Sequence, residues 1–256
     1  MSDSSVALPL QRRLLAEFLG AGLLVTVVVG SGIAAASLSP DDVGLQLLQN
    51  STATVLGLTV LILMFGPVSG AHFNPVVSLA DWFLHRRTGL GLSLPEVGAY
   101  SAVQITGGVA GAVLANAMFE VPTRISTMDR LSAGHLLGEL VATTFLVVLI
   151  FALARSHRAA LAAPAVGAYI GAAYWFTSST SFANPAVTIG RVFSDTFAGI
   201  APSSAPAFVG AQLVGLCLGV ALTLALYPDV TRRNDDVVIP HTAHIPHTEA
   251  VSSARP

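Results

Sequence analysis

Long apolar stretches separated by short polar ones occupy most of the chain. Six of them, at 16–36, 45–66, 95–119, 134–154, 161–177 and 206–227, have the length that a helix needs to cross a ~30 Å hydrocarbon layer at ~1.5 Å per residue. They are apolar nearly all round, as membrane spans are and surface helices are not. Two further apolar segments start at Asn74 and Asn184 and last only about ten residues, roughly half the bilayer thickness. Each opens on Asn-Pro. Asn is a strong N-cap, and Pro suits the first helical position because its missing N–H has no partner to lose. The pattern predicts six spanning helices and two half-helices. Broken helices at membrane depth are tolerated only where they line a cavity, so the half-helices mark the functional site.

The two boxes read Ser69-Gly70-Ala71-His72-Phe73-Asn74-Pro75-Val76 and Ser181-Phe182-Ala183-Asn184-Pro185-Ala186. Other features recur with them in the same order: Glu17 and Glu139 near the starts of the first and fourth spans, and Gln104, Gly107 and Gly111 against Gln212, Gly215 and Gly219. This is an internal repeat. Each copy carries three full spans, an odd number, so the second enters the membrane from the opposite face and the repeat is inverted. The expected organisation is a short segment 1–11, a first repeat 12–119, a connector 120–133, a second repeat 134–227 and a disordered tail 228–256. Gly107, Gly111, Gly215 and Gly219 are spaced to let helices approach closely in lipid.

Composition agrees with this reading. The chain is 53% hydrophobic and 10% charged, against about 25% charged in soluble domains. The lone Cys217 leaves no intramolecular disulfide and reads as a buried thiol. Arginines supply orientation: Arg12, Arg13, Arg86, Arg87, Arg155, Arg158, Arg232 and Arg233 fall on one side, and the opposite loops offer only Arg124 and Arg130. By the positive-inside rule both termini are cytoplasmic. No nucleophile–base pair, metal motif or phosphate loop is present, so no enzyme, cofactor, metal or nucleic-acid role is expected. The histidines of the tail have no fixed ligand spacing.

Two helix N-termini meeting at mid-membrane bring two positive dipole ends together. Capping occupies the Asn74 and Asn184 side-chain oxygens and leaves their NH₂ groups as donors toward the gap. Such a gap favours neutral solutes with oxygen lone pairs and opposes cations, protons included.

The boxes, the two Glu and the two Gln resemble the aquaporin or major intrinsic protein family over residues from about 12 to 227. The resemblance implies an all-α membrane protein with six transmembrane helices and two re-entrant half-helices. It also implies a homotetramer with one pore per subunit, set in the inner (plasma) membrane, and passive permeation by water or small uncharged solutes. Glu17 and Glu139 match the glutamates that hold the box loops. The family's selectivity ring maps onto Thr54, Ala172, Ser181 and Val187, a wide ring with no aromatic, His or Arg. Val187 in place of Arg is the main departure, and Val76 in place of Ala a milder one. With the segment 173–187, this ring resembles channels of bacterial arsenic-resistance operons, whose implied cargo is arsenite as neutral As(OH)₃. A general glycerol, urea or water facilitator is the alternative, and an ion-coupled transporter a more distant one. His72 is a candidate for the vestibule and Arg191 for the outer mouth, with Arg191 expected outside the ring plane.

Overall fold

A computed structural model describes residues 8–86 and 89–227. Among them the structure is all helical: α1 (Leu10–Leu38), α2 (Val43–Ser69), α3 (Pro75–His85), α4 (Leu94–Met118), α5 (Ala133–Arg155), α6 (Ala162–Phe176), α7 (Pro185–Gly190) and α8 (Ala205–Leu226). Among the described residues, six helical stretches are long and apolar enough to cross a membrane, with the turn Ala159–Leu161 extending α6. The protein is a multi-pass membrane protein. The calls on Arg87, Arg232, Arg233 and the tail lie outside the described residues.

The ends of the elements follow from local chemistry. Asp42, Ser93 and Ser132 each cap a helix by accepting a backbone N–H, and Ser93 forms a capping box with Glu96. α2 stops where Gly70 takes a left-handed φ of 87°. Asn74 and Asn184 are the N-caps of α3 and α7, with Pro75 and Pro185 first in each helix. α3 runs eleven residues. α7 is shorter than its apolar run suggests, six residues followed by the tight turn Arg191–Phe193.

α1 packs on α4 and α2, and α5 packs on α8 and α6, so the two halves use the same arrangement. Close approach depends on the recurrent glycines. A Cβ at Gly107 would strike the Phe18 carbonyl and one at Gly111 the Gly22 carbonyl, while a Cβ at Gly215 or Gly219 would come within 2.8 Å of the Leu140 or Thr144 carbonyl. α7 is brought against α4 in the same way, through Gly190 and Gly108.

One expectation changes here. Cys217 is exposed, on the outward face of α8, because its apolar surroundings are those of a lipid-facing surface. His85 belongs to the last turn of α3. It is buried, with Nδ1 2.8 Å from the Asp81 carboxylate, whose other oxygen accepts the Leu92 N–H at 2.7 Å.

Candidate conduction pore

Buried carboxylates need several donors to offset the loss of water. Glu17, fully buried, accepts from the Ser69 hydroxyl (2.6 Å), the His72 and Phe73 N–H groups (3.0 and 2.7 Å) and Gln104 Nε2 (2.7 Å). Glu139 does the same in the second half, accepting from the Phe182 and Ala183 N–H groups (both 2.8 Å) and Gln212 Nε2 (2.6 Å). Gln104 also donates to Ser78 and Gln212 to Thr188, tying each carboxylate to its half-helix. To present two successive N–H groups to one carboxylate, each loop alternates left-handed residues: Ala71 and Phe73 at φ 50°, Ser181 at 51° and Ala183 at 48°. Such φ values are uncommon outside glycine, and here the buried hydrogen bonds hold them.

The capping oxygens are placed as the sequence implies. Asn74 Oδ1 accepts the Val76 N–H at 2.9 Å, and Asn184 Oδ1 accepts those of Ala186 and Val187 at 2.9 and 3.3 Å. The amide nitrogens are only half available to solute. Asn74 Nδ2 donates to the Ala183 carbonyl and Asn184 Nδ2 to the Phe73 carbonyl, both at 2.8 Å, locking the two loops together across the pseudo-twofold. An NH₂ group has two hydrogens, so one on each Asn remains for the bore.

Asn74 and Asn184 line a cavity of about 60 Å³. Its apolar wall comes in four-residue steps, Leu24 and Val28 of α1, Leu58 and Ile62 of α2, Leu146 and Ile150 of α5, Val166 and Ile170 of α6. Four residues advance a helix by slightly more than one turn and return to the same face. Continuing these stripes gives Thr54 on α2 and Tyr174 on α6, and both line the cavity.

The α6 member of the ring is therefore corrected. Ala172 is exposed on the outside of the bundle, because its offset of two residues from Tyr174 turns it by about 200°. Tyr174 occupies the bore, its hydroxyl 3.2 Å from Thr54 Oγ1. The polar lining at this level includes a long aromatic side chain and not short chains alone.

Thr54, Ser181 and Val187 line the cavity, as does His72, whose Nδ1 lies 3.0 Å from Ser78 Oγ. Arg191 lines it too. α7 ends at Gly190, and Arg191 enters a tighter turn with its side chain 2% exposed. Its guanidinium lies 3.5 Å from the centroid of the Phe182 ring, and Nε donates to the Ala198 carbonyl. Val76, Pro185 and Ala186 are buried or nearly so behind the asparagines without lining the cavity.

Sequence reasoning missed Tyr174, Phe182 and Arg130, whose guanidinium lies 5.4 Å from the centroid of the Phe182 ring. The first was available from helical phase. The others were not, because their roles depend on how the 120–133 connector folds over the second box.

The chain matches the major intrinsic protein family over residues 4–181. It is 48% identical over 214 residues to the aquaglyceroporin AqpS of Rhizobium meliloti (strain 1021), covering 83% of this chain and 89% of that protein. It is 32% identical over 230 residues to the probable aquaporin TIP5-1 of Oryza sativa subsp. japonica, covering 81% and 82% of the two chains. The fold is similar to that of the aquaglyceroporin from Plasmodium falciparum, with a TM-score of 0.61 at 20% identity over 87% of this chain and 97% of that one. With its paired half-helices and their glutamate anchors, the chain belongs to the major intrinsic protein, or aquaporin, family of passive membrane channels.

Proposed function

We propose that this channel carries small neutral triols, As(OH)₃ and glycerol being the type solutes, with water passing alongside. The observation that carries the reading is the mixed wall of the cavity. Asn74, Asn184, Ser181, Thr54 and Tyr174 set amide and hydroxyl groups among the apolar side chains of Leu24, Leu58, Leu146 and Ile170. A triol bonds the polar groups through its hydroxyls and lays a compact, weakly solvated back against the apolar ones, so it loses little on leaving water. Tyr174 and Arg191 narrow the bore, and the width argument that set arsenite apart from glycerol no longer operates. Arsenite keeps its support from the likeness of segment 173–187 to channels of arsenic-resistance operons. The glycerol alternative is supported by the likeness to a protein named an aquaglyceroporin.

The setting proposed is a bacterial inner membrane, with both termini cytoplasmic and a homotetrameric assembly. Exposed apolar residues such as Leu56, Val60 and Leu63 on α2 and Trp175 and Phe176 on α6 are available to contact lipid or a second subunit.

The test is flux into proteoliposomes. Glycerol and arsenite should equilibrate down their gradients at rates well above empty vesicles, insensitive to ionophores that collapse ion gradients. Water flux without triol flux would sink the triol reading, and uphill accumulation would favour a coupled transporter.

A further inference from the structure

We propose that Tyr100 and Arg13 are positioning residues of the pore, holding the loop of the first box and the His72 ring by a polar tether that the second half of the repeat replaces with an apolar contact. The spacing that carries Gln104 onto Gln212 carries Tyr100 onto Phe208, and the spacing that carries Asn74 onto Asn184 carries His72 onto Phe182. Both ring pairs are present. The centroids of His72 and Tyr100 lie 5.6 Å apart, and those of Phe182 and Phe208 5.2 Å. Tyr100 and Phe208 are both fully buried, and of the two only Tyr100 carries a hydroxyl.

The partners of that hydroxyl settle its direction. The Ser69 carbonyl, 3.1 Å away, can only accept, and Arg13 Nε, 2.8 Å away, can only donate. A bond received from a cation polarises the phenol and makes it a better donor in turn. Ser69 is the last residue of α2, where carbonyls have no partner within the helix. Its own hydroxyl serves Glu17 at 2.6 Å and accepts the Ala71 N–H at 3.2 Å. At the other end of the same loop, the Phe73 carbonyl takes the bond from Asn184 Nδ2. Tyr100 therefore fixes the start of a loop whose end joins the two asparagines. The left-handed residues between, Ala71 and Phe73, are strained positions that relax if the start is released.

Arg13 is held in its turn. Its Nη1 lies 2.9 Å from Glu96 Oε1, while Glu96 Oε2 accepts the N–H and hydroxyl of Ser93, both at 2.8 Å. Its guanidinium stands 5.3 Å from the centroid of the Tyr100 ring. The route thus runs from a partly exposed ion pair at the Leu10 end of α1 to His72 on the cavity wall. In the second half, the spacing that carries Glu17 onto Glu139 carries Arg13 onto His135, whose Nδ1 turns to the Arg130 carbonyl of the connector at 2.7 Å.

This inference rests on the cavity being the conduction path, which the flux of the asparagine variants checks separately. The experiment follows water flux per inserted protein by stopped flow in proteoliposomes, over a range of temperatures, with monodispersity in detergent as the folding control. It compares wild type, Tyr100→Phe, Arg13→Met, the double variant and Arg12→Gln. Tyr100→Phe removes only the hydroxyl and copies the residue of the second half. Flux should fall about threefold, the factor that the net contribution of one hydrogen bond corresponds to, and its temperature dependence should steepen. Steepening does not depend on how many channels have folded, so a merely stabilising role would not move it. Arg13→Met should act in the same direction by a smaller factor. The double variant should match Tyr100→Phe, because Arg13 works through the phenol. Arg12→Gln removes the same charge at an exposed neighbour and should conduct as wild type does. Wild-type temperature dependence in a folded Tyr100→Phe channel would overturn the proposal. A loss from Arg13→Met that persists in full without the phenol would overturn the part assigned to Arg13. Should Tyr100→Phe not fold, wild-type temperature dependence in Arg13→Met would overturn the tether instead.

Discussion

The Tyr174 hydroxyl is a donor to Thr54 on the wall of the cavity. Thr54 Oγ1 gives its own proton to the Asn50 carbonyl at 2.8 Å, so in the 3.2 Å contact between the two hydroxyls the hydrogen comes from Tyr174. The phenol is thereby fixed in rotation, with oxygen lone pairs left for a passing solute. It also sets the width at this level. Tyr174→Ala should raise the ratio of glycerol to water flux several-fold in stopped-flow proteoliposome measurements. Ala172→Leu, on the outer surface, should leave both fluxes within about twofold of wild type. Reversal of these two outcomes would restore Ala172 to the ring.

Asn74→Asp and Asn184→Asp attack the crossed hydrogen bonds at the centre. A carboxylate cannot donate, and it would face the Ala183 or Phe73 carbonyl at hydrogen-bond range with two like partial charges. Flux per mole of inserted protein should fall by about tenfold or more, since an unpaired buried charge costs several kcal/mol. Solute flux in proteoliposomes, normalised to protein content, is the measurement. Unchanged flux in both variants would remove the boxes from the mechanism.

Packing between α1 and α4 has no room at Gly111, whose Cβ would collide with the Gly22 carbonyl. At Gly219 the nearest atoms include the Val147 side chain, which can shift. Leu at either site should destabilise the detergent-solubilised protein by about 1–3 kcal/mol, and more at Gly111 than at Gly219. Thermal unfolding followed by tryptophan fluorescence ranks them, and wild-type stability in both would refute close helix contact.

Acid should loosen the connector. Asp195 accepts the Thr127 N–H and hydroxyl at 2.8 and 3.0 Å, and these bonds hold its carboxyl below the usual carboxylate range. Asp129 is lowered in the same direction by the Leu131 N–H and the Ser204 hydroxyl. A depressed folded pKa contributes stability that is present above the ordinary value of about 3.9 and is lost as pH falls through the folded one. Both groups are exposed, so the effect is small. The melting temperature should drop below about pH 4, and the drop should be smaller in Asp195→Asn. An equal drop in the variant would clear Asp195 of the role.

The spans, the half-helices and the repeat could be read from sequence because each rests on local chemistry: apolar length, the Asn-Pro cap, glycine spacing. Glu17 and Glu139 stood out because a carboxylate inside an apolar run demands donors, and the structure supplies them from the box loops. The constriction could not be read the same way. Counting back from Asn184 gave Ala172, whereas the four-residue stripe from Val166 through Ile170 leads to Tyr174. Arg191 was expected outside the ring plane, and its place on the cavity wall follows a tight turn beyond Gly190 that a regular helix would not give. Arg130 looked like a loop charge, and nothing near it in sequence announces the Phe182 ring it stands behind.

The stripes on α2 and α6 also separate two things that a motif-based numbering joins. The bore wall is fixed by the rotation of each helix about its axis, and the box by its glutamate anchor. Between them lies the segment 177–180, which joins α6 to the box. Residues gained or lost in that segment during descent would leave both wall and box unchanged while altering every count between them. Related channels can therefore keep one pore and lose their common numbering, and substrate preference is better compared by helical phase than by distance from the asparagine.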